Sequence, residues 1–69
     1  MVEVFKTNVQ QSELAEQLVS ILRGRFVFSR INFDLEDCDK ILRVEDNQIC
    51  VEIIIEILNT YGLQCEVLT

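Results

Sequence analysis

Cys38, Cys50 and Cys65 are the side chains best suited to chemistry, and their spacing limits what they can do together. A soft metal ion needs two or more thiolates or imidazoles converging on it, and zinc sites announce themselves as close cysteine or histidine pairs. No two of these cysteines stand in a C-x-x-C spacing, and the chain has no histidine. Free thiols with no bound metal are therefore expected, Cys38 being the most exposed and the most open to oxidation. The acidic run Asp34, Glu36, Asp37 and Asp39 lacks the alternating ligands and distant bidentate glutamate of a calcium loop, and reads as a solvated turn. Without histidine the commonest general base is missing, and no phosphate-cradling glycine loop or nucleophile–base arrangement is present. Glu13 with Glu16, and Glu52 with Glu56, are helical neighbours of the kind usually found as exposed charge. No enzymatic activity and no cofactor are expected.

Composition narrows the remaining classes. Sixty-nine residues make one domain, 1–69, and 49% of them are hydrophobic. A chain this short buries only about 60% of the surface its unfolded form exposes, so it needs that apolar content to hold a core. Twelve acidic residues against six basic ones give a net charge of −6. That balance repels a phosphate backbone, and Arg23, Arg25 and Arg30 are too few for a nucleic-acid footprint. The most apolar stretch, Ile49 to Leu58, is broken by Glu52 and Glu56 and is too short to span a bilayer. The opening Met1-Val2-Glu3-Val4-Phe5 has neither the basic nor the long apolar region of a signal peptide. An odd cysteine count does not fit the paired framework of a small secreted domain, so a reducing cytoplasm is expected.

The elements that must position these residues follow from periodicity. Residues 2–7 are rich in β-branched and aromatic types and read as a strand. Asn8 is a candidate helix cap, with Gln11 in the capping-box position. Leu14, Leu18, Ile21 and Leu22 recur at helical spacing through 11–23, with Gly24 as the stop. Residues 26–35 read as a second strand, in which Ile31, Phe33 and Leu35 alternate with polar residues. A polar turn at 36–39 leads to a third strand at 40–45. Asp46 or Asn47 would cap a helix over 48–61, ended by Gly62, and 63–68 would be the last strand. This β-α-β-β-α-β order predicts an α+β ferredoxin-like sandwich, one four-stranded antiparallel sheet with two helices on one face.

Lys6-Thr7-Asn8-Val9, the hairpin stretch Asp34-Leu35-Glu36-Asp37 through Val44-Glu45, and Tyr61-Gly62-Leu63 before a short strand together resemble the heavy-metal-associated domains. That family includes copper chaperones and the N-terminal modules of metal-pumping ATPases, and the likeness covers nearly the whole chain. The resemblance implies a C-x-x-C on the loop before the first helix, where two thiolates grip a soft ion beside the helix's positive end. Aligning Lys6-Thr7-Asn8-Val9 puts those two positions at Gln11 and Leu14. A neutral amide and an alkyl group stand where the thiolates belong, so the family's metal binding is not expected to carry over.

Helix two has more apolar surface than a single core face needs. Val51, Ile54, Ile55, Leu58 and Tyr61 share one side, with Cys50, Ile53 and Ile57 on the flank and Ile49 near the polar side. Ile49, Ile53 and Ile57 thus extend the apolar surface beyond the core face. Either the small core wraps further round the helix, or the flank meets a protein partner or a second copy. The outer sheet face would carry Glu3, Phe5 and Thr7 if Val2 and Val4 face the helices, or the reverse, with an apolar spot at Phe5 in the first case. The favoured expectation is a non-enzymatic interaction module that kept a metallochaperone-like fold and lost its metal loop. The alternatives are metal handling through non-standard ligands, for example an intermolecular Cys38 pair, and small-molecule sensing at a dimer interface.

Overall fold

Alternation along the first strand decides which way the sheet faces its helices. In the computed structural model, which describes residues 1–68, β1 (Val2–Thr7) is followed by α1 (Ser12–Arg25), β2 (Arg30–Asp34), β3 (Ile41–Glu45), α2 (Val51–Thr60) and β4 (Cys65–Val67). The four strands form one antiparallel sheet in the order β2-β3-β1-β4, and the fold is α+β. Phe5 lies opposite Leu42 on β3 and Val67 on β4, and Phe33 also lies opposite Leu42. Directly opposed residues share a face, so one face carries Phe5, Ile31, Phe33, Leu42, Val44 and Val67.

That face makes the core. Phe5, Ile31, Leu42 and Val44 cluster with Leu22 of α1 and Ile54 and Leu58 of α2, all buried. Each such side chain contributes about 1.5–3 kcal/mol when fully withdrawn from water. Val2 and Val4 point the other way, so the Phe5 spot expected as one option for the outer face is absent. The outer face carries Lys6, Arg43 and Glu45 around Val2, Val4 and Ile41, with Lys6 3.8 Å from Asp39 and Glu45 4.0 Å from Arg30. No helix among the described residues is long and apolar enough to cross a membrane.

Several element ends depart from the expected ones, each for a local reason. Neither Asn8 nor the capping box starts α1. Gln11 is the cap residue, and no side chain caps the helix. Gly24 does not stop α1, because the buried Leu22 anchors the last turn and its carbonyl accepts from the Phe26 N–H at 2.7 Å. The strand expected from 26 begins only at Arg30, since a turn closed by Ser29 N–H to Phe26 C=O (3.1 Å) reverses the chain. Helix two begins at Val51 with Cys50 as its cap, because Asp46 is occupied elsewhere and Ile49 packs on the core ahead of the helix. The last strand is only Cys65–Val67.

Gly62 does end α2 as expected, and the geometry shows why. Its φ is +77°, while its N–H bonds Asn59 C=O at 2.9 Å and the Leu63 N–H bonds Leu58 C=O at 3.0 Å. This is the Schellman arrangement, in which a left-handed residue satisfies the last helical carbonyls. Gly62→Ala is expected to destabilise the domain by about 1 kcal/mol, because a Cβ disfavours that conformation. Gly24 sits inside a helix, and a Cβ there would meet nothing within 4 Å. Gly24→Ala should therefore stabilise by about 0.5–1 kcal/mol. Paired denaturant melts of the two variants test the opposite signs.

Candidate functional site

The loop between β1 and α1 is where the resemblance places metal chemistry, and it is closed by packing. Val9 is fully buried and forms a second small cluster with Ala15 and Leu18 of α1. Leu14 packs against that cluster, so its side chain belongs to the core. Gln11 is exposed, and its carbonyl accepts the Ala15 N–H at 3.0 Å. Thr7 pins the loop from below. Its buried hydroxyl donates to Lys40 C=O at 2.5 Å and accepts from the Val9 N–H at 3.3 Å, while its own N–H reaches Asp39 C=O at 3.1 Å. Asn8, freed from capping, accepts the Gln64 N–H at 2.8 Å and ties the loop to the segment between α2 and β4.

The three thiols sit in three different settings. Cys65 lies half-buried on β4 opposite Thr7, and burial, helped by the neighbouring Glu66 charge, pushes its thiol up to about 11. It stays protonated at neutral pH and is a weak ligand and nucleophile. Cys50 is exposed at the start of α2, and Cys38 is exposed in the β2–β3 turn. That turn brings possible ligand atoms of Asp37, Cys38 and Asp39 within 4.8 Å of one another. Both carboxylates already have partners, since Asp37 accepts the Asp39 N–H at 2.9 Å and Asp39 pairs with Lys6. Lys40 leaves the turn in a left-handed conformation (φ 48°), with its ammonium on Leu35 C=O at 2.9 Å. The same turn shapes the hairpin whose Asp39 and Lys40 carbonyls hold Thr7.

The surfaces are more distinctive than the loop. Ile49, just ahead of α2, and Ile57 on it are half-buried against the main core, while Ile53 is half-buried outside both clusters. Tyr61, expected on the core side, is 53% exposed. At the opposite end of the sheet from the loop, Phe28 is 93% exposed beside Val27 in the turn after α1. A third surface is a groove of about 450 Å³ between α1 and β2, lined mainly by Ala15, Val19, Ile31, Phe33 and Leu35 with Glu16 and Glu36 at its rim. The Phe28 tip and the groove escaped sequence reasoning. Reading 26–35 as one strand placed Phe28 in the sheet, and a groove beside an edge strand requires knowing the strand order.

One polar contact ties the two loops at the Phe28 end. The buried Ser29 hydroxyl donates to Asp46, which also accepts the Asn47 N–H at 2.6 Å. These bonds, Ser29 first, hold the Asp46 carboxyl below its ordinary value. A carboxylate whose folded value is depressed stabilises the fold above its unfolded value, and that contribution is lost as pH falls through the folded one. Wild type should therefore exceed Asp46→Asn in stability at neutral pH. The gap should close as the solution is acidified below the ordinary carboxylate range, as read by urea midpoints across pH.

A scan of protein-family models, a comparison with curated proteins and a comparison with solved structures each found no match to this chain. The functional reading accordingly rests on the residues and geometry described above.

Proposed function

We propose that this chain is a ferredoxin-like, metallochaperone-type domain that has given up soft-metal binding and acts through protein contacts, without catalysis or a cofactor. The observation carrying the reading is Leu14. At the position where the resemblance implies a thiolate, its side chain packs with Val9, Ala15 and Leu18, so the loop serves the core. Gln11 adds one neutral amide, a poor partner for a soft ion. The strand order β2-β3-β1-β4, with each helix connecting strands that are not neighbours in the sheet, supports the fold assignment. The acidic charge of −6 speaks against nucleic acid as the partner.

Anaerobic titration with Cu(I), and separately Zn(II), against a competing chelator tests the loss of metal binding. The expected result is that the chelator keeps all the metal. Stoichiometric uptake by the protein would overturn the reading, and repeating the titration with Cys38→Ser would then assign or exclude the exposed thiol of the β2–β3 turn.

A further inference from the structure

β2 is an edge strand, and its outer side is bare. It pairs only with β3, and among the described residues no backbone hydrogen bond outside that ladder engages positions 30–34. Edge strands with free N–H and C=O groups are ready templates for another strand, and folded proteins blunt them with proline, bulges, a covering segment, short length or charged side chains. Of these, β2 has only its five-residue length and the opposite charges Arg30 and Asp34. β2 has no proline, and beside it lies the apolar groove under α1.

The residue order along β2 shows what fits there. The strand reads Arg30-Ile31-Asn32-Phe33-Asp34. Laid antiparallel against a second copy of itself about Asn32, it sets Arg30 opposite Asp34, Ile31 opposite Phe33 and Asn32 opposite Asn32. Opposed residues share a face, so the apolar pairs fall on the helix side and the charged pairs on the outer side. The flank of α1 obeys the same symmetry. Arg23 lies with Arg30 at the Ile31 end of the edge, and Glu16 lies with Glu36 at the Leu35 end. A two-fold axis through Asn32 brings the basic end of one copy against the acidic end of the other. A one-position slip loses both the charge pairing and the matching of faces.

We infer that β2 is the site at which two copies of this chain join, forming a continuous eight-stranded sheet with Arg30–Asp34 pairs at both ends of the seam. The inference deepens the proposed protein-contact function by naming the partner, and it rests on that reading. In the dimer Arg30 sits between Asp34 of the second copy and Glu45 of its own β3, from which it is now 4.0 Å. Five residues make a short seam, and two chains of charge −6 repel at long range. Association is expected at high micromolar concentration.

Sedimentation equilibrium over a concentration series tests the inference, with thermal melts confirming that each variant is folded. Wild type should dimerise, and Asp34→Arg or Arg30→Asp alone should each weaken dimerisation about tenfold or more by placing like charges at both ends of the seam. Mixing the two variants restores opposite charges at both ends, so a heterodimer of near wild-type strength should form from two weakly associating proteins. Amide protection at 31–33 should rise with wild-type concentration. A wild type that stays monomeric overturns the inference, as does a dimer indifferent to both reversals or one lost instead in Ile53→Asp on α2. Metal uptake by a protein that dimerises as described would overturn the proposed function and leave the seam standing.

Discussion

Replacing Gln11 and Leu14 together by cysteine is expected to create a soft-metal site able to hold Cu(I) against a chelator that outcompetes the unaltered protein. Gln11 caps α1 and Leu14 is the third residue inside it, so both thiols would lie within the first turn. Unpaired N–H groups and the helix's positive end favour thiolates at such a place. The exchange has a cost, because Leu14 packs against Val9, Ala15 and Leu18. Trimming a half-buried leucine should remove about 1–2 kcal/mol. Metal binding to the folded form should return part of that loss as a higher melting temperature. Each single cysteine variant lacks the second donor and should gain little. A folded double variant that still yields all its copper to the chelator would show that this loop does not have the shape the resemblance implies.

Phe5→Ala is expected to leave the domain largely unfolded or close to it at room temperature, while the chemically identical Phe28→Ala changes almost nothing. Phe5 is fully buried at the centre of the sheet and packs in the cluster that contains Leu22, Ile54 and Leu58. Its removal should cost about 3–5 kcal/mol through lost burial and the cavity left behind. A domain of this length holds only about 3–10 kcal/mol of stability in total. Phe28 is 93% exposed, so its truncation should stay within about 0.5 kcal/mol. Circular-dichroism melts of the pair decide the point, since comparable losses would place both rings in equivalent surroundings.

These two phenylalanines also show where periodicity stops being informative. The six elements and their order were legible, because each carries its own period: two through 30–34 and 41–45, and near 3.6 through α1 and α2. Alternation alone could not say which face of β1 meets the helices. That choice depends on Leu42 and Val67 lying opposite Phe5, a matter of long-range register. Phe26-Val27-Phe28 looked like strand because its residues favour strands, but α1 must reverse before β2 and the turn overrode propensity. Asn8 and Asp46 looked like helix caps, and both found distant partners instead, Gln64 and Ser29. Of the loop positions, Leu14 was legible as a member of the helical apolar stripe, and it does pack against Val9, Ala15 and Leu18. The self-matching order of β2 was visible in the letters, yet it acquires meaning only once β2 is known to lie at the sheet's edge.

The placement of β1 between β3 and β4 has a consequence for how the chain reaches its final shape. β1 is the first strand in the chain and the last to be satisfied on both sides, since Lys6 must find Ile41 on one side and Glu66 on the other. Only β2 and β3 are neighbours both in sequence and in the sheet, so their hairpin is the one pairing that forms without closing a long loop. Every other strand contact waits on distant chain, which places the domain between helical bundles and all-β folds in expected folding rate. Until β3 and β4 arrive, Val2, Val4 and Phe5 form an unpaired strand of high β-propensity. That interval is when the molecule is most exposed to mispairing and aggregation.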